Sequence, residues 1–202
     1  MKPTKVVFDI GNVLLRWDMR ALFAKLIDDA QELDFFLREV CPMSWHARLD
    51  AGALYGDVIA ERARAYPRYA QTIRAYDPRW QETIVGPIGE SVRVLERLRA
   101  AGAPTYAITN FPAEKFDETC ALHPFLQGFD GVVVSGRERV TKPDPAIFRL
   151  FLARFGLEAR DCVFIDDSPA NAAAAAALGF HAVRFEEPER LAGQLAALGL
   201  PV

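Results

Sequence analysis

Four places in the sequence set polar or charged side chains after or beside short apolar runs. Asp9 follows VVF and opens DIGNV; Thr109 and Asn110 follow TYAI; Lys142 sits in TKPDPAIF; Asp166 and Asp167 close CVFIDD. Each has an ordinary structural use. An acid at a strand end can form a turn or cap a helix, and Thr or Asn before a proline-started helix is a routine N-cap. A lone lysine is commonly solvated. The acidic pair is harder to set aside, because Ser168 and Pro169 already supply a helix start. Two adjacent carboxylates at the end of a buried strand repel each other and are costly unless a cation or hydrogen-bond donors neutralise them. A metal site is the favoured reading.

These residues acquire a shared meaning only if the chain brings them together. Apolar runs at Lys5–Phe8, Thr105–Ile108, Val132–Val134, Cys162–Ile165 and Ala182–Phe185 read as buried strands. Helical patterns lie between the later ones. Val92, Leu95 and Leu98 share one face before Gly102, and Ile147, Leu150, Phe151 and Phe155 share another before Gly156. The alanine run Ala172–Ala177 reads as a tightly packed helix. Strands alternating with helices imply βαβ units and a Rossmann-like, doubly wound α/β fold with a parallel sheet. Residues 16–85 break the rhythm: they offer helical stretches and no convincing strand before Gly86 and Pro87. The expected organisation is therefore an α/β core over residues 1–15 and 86–202. Residues 16–85 form a small inserted helical cap over the carboxyl edge of the sheet, where ligands bind in such folds.

If the sheet is parallel, that edge collects an isolated carboxylate, a hydroxyl with an amide, an ammonium and a carboxylate pair. Phosphoryl transfer needs such a set: a nucleophile, a divalent ion, and cationic or hydrogen-bonding groups around the transferring oxygens. Mg²⁺ is the natural ion, since it prefers hard carboxylate and carbonyl oxygens and binds protein and phosphate together.

The ordered series DIGNV, ITN, TKPDPAIF and FIDDSPAN, over residues 8–171, resembles the four motifs of the haloacid dehalogenase-like hydrolases. The resemblance implies that Asp9 is the nucleophile that becomes phosphoaspartate and that the Gly11 backbone carbonyl helps bind Mg²⁺. It implies phosphate binding by Thr109 and Asn110, and a Lys142 that steadies nucleophile and phosphate. Asp166 and Asp167 correspond to the acidic metal motif, with Asp166 the expected direct ligand. The inserted helices resemble the family's helical cap, and the expected substrate is a small phosphorylated metabolite.

One position departs from the pattern. Most phosphatases of this superfamily carry an acid–base aspartate two residues after the nucleophile; here that residue is Gly11. General acid–base assistance is worth roughly 10² to 10⁴ in rate. Either the substrate leaves easily, as an anomeric sugar phosphate or acyl phosphate would, or Asp18, His46 or Asp50 supplies the proton from the cap, or turnover is feeble. The DxGNV form resembles a bacterial subgroup that includes a glucose-1-phosphate phosphatase. The alternatives are a metal-independent 2-haloacid dehalogenase, for which the acidic pair has no use, and a non-catalytic binder of phosphorylated metabolites.

Other classes lack their features. There is no GxxxxGK[ST] loop, no GxGxxG after a strand and no GxSxG elbow. His46, His123 and His181 lack metal-ligand spacing, and Cys41, Cys120 and Cys162 form neither a CxxC nor a disulfide framework. Dispersed cysteines fit a reducing compartment. MKPTKVVFDIG reads as a strand rather than a signal peptide, so a cytoplasmic location is expected. Net charge is −3 and the arginines are scattered, which argues against nucleic-acid binding. No apolar stretch approaches the ~20 residues of a membrane span. Trp17, Trp45 and Trp80 are expected to pack in the core, with Trp17 and Trp45 the two that could face substrate.

Overall fold

The computed structural model describes residues 2–202. In chain order the strands are β1 (Lys5–Phe8), β2 (Leu15–Trp17), β3 (Ile84–Pro87), β4 (Thr105–Thr109), β5 (Gly131–Val134), β6 (Cys162–Asp166) and β7 (His181–Arg184). Five of them form one parallel sheet in the order β5-β4-β1-β6-β7. β1 is central, with β4 on one side and β6 on the other. The strand order reverses there, so the carboxyl ends of these three strands flank a crevice.

Both faces of the sheet are covered, which explains why its strands read as continuous apolar runs. Val6 and Phe8 face one core with Val163, Ile165 and Ala107. Val7 faces the other with Phe164, Cys162 and Ile108. The helix Gly89–Ala100 packs Val94, Leu95 and Leu98 into the first core. The helix Pro145–Phe155 packs Ile147, Phe148 and Phe151 into the second, capped by Asp144 and stopped at Gly156, whose φ is 64°. The alanine run forms the helix Pro169–Ala177, with Ser168 at its N-cap and Ala175 in the second core. Small side chains let this helix lie close to the sheet.

The segment expected to lack strands contains two short ones. β2 and β3 pair antiparallel, Leu15 with Pro87 and Arg16 with Gly86, in a ribbon that opens and closes the helical stretch. Three- and four-residue strands carry too little alternation to be read from sequence, and Gly86, at a φ of 147° that favours glycine, lies within β3 rather than stopping it. Asn12 at φ 55° turns the chain from β1 into β2, with its side-chain carbonyl accepting from Trp17 N at 3.1 Å. Asparagine is one of the few residues that tolerates this left-handed backbone.

Between β2 and β3 the chain is helical, and its apolar residues, among them Phe23, Phe36, Tyr76 and Trp80, join the first core. Polar ties reinforce the junction. Ser135 Oγ donates to Asp50 O at 2.6 Å, and Tyr55 N donates to Glu114 Oε1 at 3.2 Å. Among the described residues no helix is long and apolar enough to cross a membrane.

Gly136 is pressed against the loop that follows β4. A Cβ there would meet Ala113 N at 2.5 Å and Phe111 O at 2.8 Å, both backbone atoms that cannot swing aside. Alanine normally stabilises a helix relative to glycine by ~0.5–1 kcal/mol. Gly136→Ala should nevertheless lose about 1–3 kcal/mol through overpacking, measured by urea unfolding, whereas Gly11→Ala, whose Cβ meets nothing within 4 Å, should stay within about 0.5 kcal/mol of the parent.

Candidate active site

The carboxyl edge of β1, β4 and β6 holds the polar residues that follow those strands. Asp9 lies just past β1, with its backbone N–H still in the ladder, donating to Ile165 O at 2.8 Å. Its side chain is almost wholly buried, and Oδ1 accepts from Ile10 N at 2.7 Å and from Lys142 Nζ at 2.8 Å. Both donors take the same oxygen, and Oδ2 receives neither. Burial pushes the Asp9 carboxyl up to about 7; the Lys142 ammonium opposes this, and the Asp166 carboxylate adds to it.

Lys142 is the cation at the centre. Its Nζ reaches Asp9 Oδ1, Asp166 Oδ2 at 2.6 Å and Ile108 O at 2.9 Å, so all three ammonium protons have acceptors. Burial would pull its pKa down, but the two carboxylates outweigh burial and hold it above the ordinary lysine value. The loop bearing Lys142 is fixed by Asn110, whose side-chain amide donates to Lys142 O at 2.9 Å and accepts from Lys142 N at 2.8 Å. The Lys142–Pro143 peptide is cis.

The two acids at the end of β6 have different surroundings. Asp166 is fully buried; Oδ1 accepts from Ser168 N and Asn171 Nδ2, both at 2.9 Å, while Oδ2 accepts from Lys142. Three of its roughly four lone-pair sites are therefore engaged. Asp167 instead lines the open cavity, and burial together with the Asp166 charge raises its pKa. Thr109 ends β4 fully buried, with Oγ1 lacking a hydrogen-bond partner among the described residues. Such a group fits a ligand oxygen, because buried hydroxyls in proteins are normally paired.

A cavity of about 220 Å³ opens above this floor. Asp9, Gly11, Asn110 and Asp167 line its base, and Trp17, His46, Asp50 and Trp80 belong to its upper wall. Of the tryptophans, Trp45 is buried, with Nε1 toward Val58 O, and is not part of the cavity wall; Trp17 is half-buried and is part of it. Asp18 is exposed and caps the helix Met19–Phe23, with Oδ1 accepting from Arg20 N.

Asp9, Lys142, Asp166 and Asp167 thus come together as the spacing predicts, and Gly11 and Asn110 join them at the cavity. Sequence reasoning passed over Asn171, Ser135 and Tyr76. Asn171 carried a signal: it is the single polar residue of PANAAAAAA. Ser135 and Tyr76 carried none, since their partners lie far along the chain.

The donor set fits a divalent cation. Asp9, Asp166 and Asp167 can offer carboxylate oxygens within 4.8 Å of one another. Three carboxyl groups face one ammonium, so that their full ionisation leaves two negative charges for a further cation to offset. Removing the one cation present exposes that imbalance. Lys142→Met should cost about 3–5 kcal/mol of stability, because it strands buried carboxylates. Millimolar Mg²⁺ should recover part of the loss, as any ligand specific for the folded state does. Urea unfolding with and without Mg²⁺ measures both effects.

Three comparisons place the chain among known proteins. It is 25% identical over 178 residues to the sesquiterpene phosphatase astK of Aspergillus oryzae, covering 86% of this chain and 85% of that one. It is 36% identical over 112 residues to acyl-CoA dehydrogenase family member 10 of Mus musculus, spanning 54% of this chain but only 10% of that much longer protein. Its fold matches a HAD-family enzyme of Bacteroides thetaiotaomicron, solved as a magnesium complex, with a TM-score of 0.76, 16% identity, and coverage of 96% and 99% of the two chains. The family model for haloacid dehalogenase-like hydrolases matches residues 6–179. With the motif order, the sheet order and this match in agreement, the chain belongs to the haloacid dehalogenase-like hydrolases.

Proposed function

We propose that the protein is a Mg²⁺-dependent phosphohydrolase that cleaves a small phosphorylated metabolite through an aspartyl-phosphate intermediate on Asp9. The observation that carries this reading is the buried Asp9–Lys142–Asp166 cluster with Asp167 beside it at one sheet edge. Asp9, Asp166, Asp167 and the Gly11 carbonyl would hold the ion. Bound there, Mg²⁺ supplies a Lewis acid that offsets the charge of the transferring phosphoryl group.

The chain's own groups do the rest. Lys142 holds Asp9 Oδ1 and leaves Oδ2 to attack phosphorus. Thr109 Oγ1 and the Asn110 backbone are offered to the phosphate oxygens. The Asn110 side chain keeps Lys142 in place, a positioning role beyond phosphate binding. Residues 16–85 act as the cap, and a cavity of about 220 Å³ favours a compact leaving group such as a sugar. The aromatic wall formed by Trp17 and Trp80 suits the apolar face of a sugar ring. The phosphatase name of the Aspergillus relative supports phosphate ester hydrolysis as a class. A dehalogenase would have no use for Asp166 and Asp167 as a pair, and a mere binder would not need a nucleophile oxygen left free. A cytoplasmic site of action accords with three unpaired cysteines.

Purified protein should release phosphate from 4-nitrophenyl phosphate in Mg²⁺ and stop in chelator. Asp9→Asn should abolish turnover, by at least ~10³-fold, while the thermal transition persists, since the amide keeps the shape but loses the nucleophile. Chloride release from 2-chloropropionate in chelator, without phosphatase activity, overturns the assignment.

A further inference from the structure

Gly11 leaves the reaction without an acid two residues after the nucleophile, so a proton for the departing oxygen has to come from elsewhere. Asp18 does not supply it: it is exposed, occupied as a helix cap and absent from the cavity wall. His46 and Asp50 both line the cavity that Asp9 lines. They lie four residues apart on the helix Met43–Asp50, and therefore on one face of it.

Their surroundings are arranged as a buried relay. Tyr76 OH lies 2.9 Å from His46 Nδ1. Tyr76 is fully buried and its pKa stands well above the ordinary value, mainly through burial, so the phenol keeps its proton and donates it to Nδ1. That bond assigns the imidazole N–H to Nε2, which faces Asp50 Oδ1 at 3.4 Å. The imidazole is held by ring contacts with Trp17 at 4.7 Å and Trp80 at 5.6 Å between centroids. Asp50 Oδ1 is sealed from solvent and has no closer donor. The 14% exposure left to that side chain therefore turns its other oxygen, Oδ2, toward the cavity. Asp50 O accepts from Ser135 Oγ at 2.6 Å, and Ser135 Oγ accepts from Phe111 N at 3.0 Å. Asp50 is thereby tied to the loop that carries Thr109 and Asn110. Long contacts such as 3.4 Å commonly tighten when substrate binds.

We propose that Asp50 is the general acid and base of the phosphohydrolase reaction, with His46 and Tyr76 positioning its carboxyl. The proposal rests on the phosphohydrolase reading. In the first step Asp9 Oδ2 forms a bond to phosphorus while the bond from phosphorus to the leaving oxygen breaks. The electron pair of that bond stays on the oxygen, which takes the proton of the Asp50 carboxyl and departs as an alcohol. In the second step the Asp50 carboxylate removes a proton from water, whose oxygen attacks phosphorus. The bond from phosphorus to Asp9 breaks, its electron pair restoring the Asp9 carboxylate, and inorganic phosphate leaves with Asp50 protonated again. Gly11 provides room for the leaving group where a side chain would otherwise stand.

Leaving-group dependence tests this. Initial rates are measured for 4-nitrophenyl, phenyl, glycerol and ethyl phosphates in Mg²⁺. The unmutated protein should show a shallow dependence of kcat/KM on leaving-group acidity, because the departing oxygen is protonated as it leaves. Asp50→Asn should lower kcat/KM, which reports the step in which the leaving group departs, ~10²-fold for the alkyl esters and less than ~10-fold for the nitrophenyl ester, the asymmetry expected of a lost acid. His46→Gln should steepen the dependence in the same sense but less. A steep dependence in the unmutated protein overturns the proposal without any variant, even if Asp50→Asn fails to fold. Equal losses of kcat/KM on every ester in Asp50→Asn also overturn it, making Asp50 a structural tie. If no ester is hydrolysed at all, the phosphohydrolase reading falls, and this proposal falls with it.

Discussion

The arrangement of the site depends on one buried ammonium. Lys142 Nζ touches two carboxylates and a backbone carbonyl in a place closed to water. An unpaired charge there would be prohibitively costly, and so would either carboxylate without it. Three segments that are distant in sequence are therefore fixed to one another: the ends of β1 and β6 through their acids, and the end of β4 through Ile108 O. Asn110 then holds the backbone of Lys142 from both its N–H and its C=O. This cluster is a structural junction and the proposed reactive centre at once, because the contacts that neutralise Lys142 also decide which oxygen of Asp9 is left free.

The acids after β6 divide between two tasks for the same reason. Asp166 is absorbed by Lys142, Ser168 N and Asn171, and it anchors the start of the following helix. Asp167, one residue on, stands at the cavity. Two adjacent carboxylates are tolerated because Asp166 is largely neutralised from within the protein, with one acceptor site left over, and Asp167 is open to a cation or solvent.

The floor of the cavity comes from the sheet and its wall from the helical segment between β2 and β3. Gly11, with no side chain, joins the two without filling the space between them. The wall is aromatic, yet it carries a histidine and an aspartate held by Tyr76 and Ser135. The segment cannot be treated as a loose cover, because its own apolar residues complete the first core of the sheet.

The alternation of apolar runs and helical patterns determined the α/β class, and it located five strands to within a residue or so at each end. It did so because strands buried on both faces must be continuously apolar, whatever their neighbours are. Asp9, Thr109 and Asp166 likewise stand at local strand ends, which a parallel sheet necessarily gathers at one edge, whereas Lys142 lies in the loop beyond β5 and a short helix and is brought there by the fold. Other features belonged to the tertiary structure alone. The β2–β3 ribbon is too short to show a period. The double hold of Asn110 on Lys142 spans 32 residues, and the tie from Ser135 to Asp50 spans 85. Asp18, His46 and Asp50 were equivalent as acids on a helical segment. Only the packing of that segment against the sheet, which sends Asp18 to the surface and turns His46 and Asp50 to the cavity, separates them, because the direction a helix faces is set by what it buries and not by its own sequence.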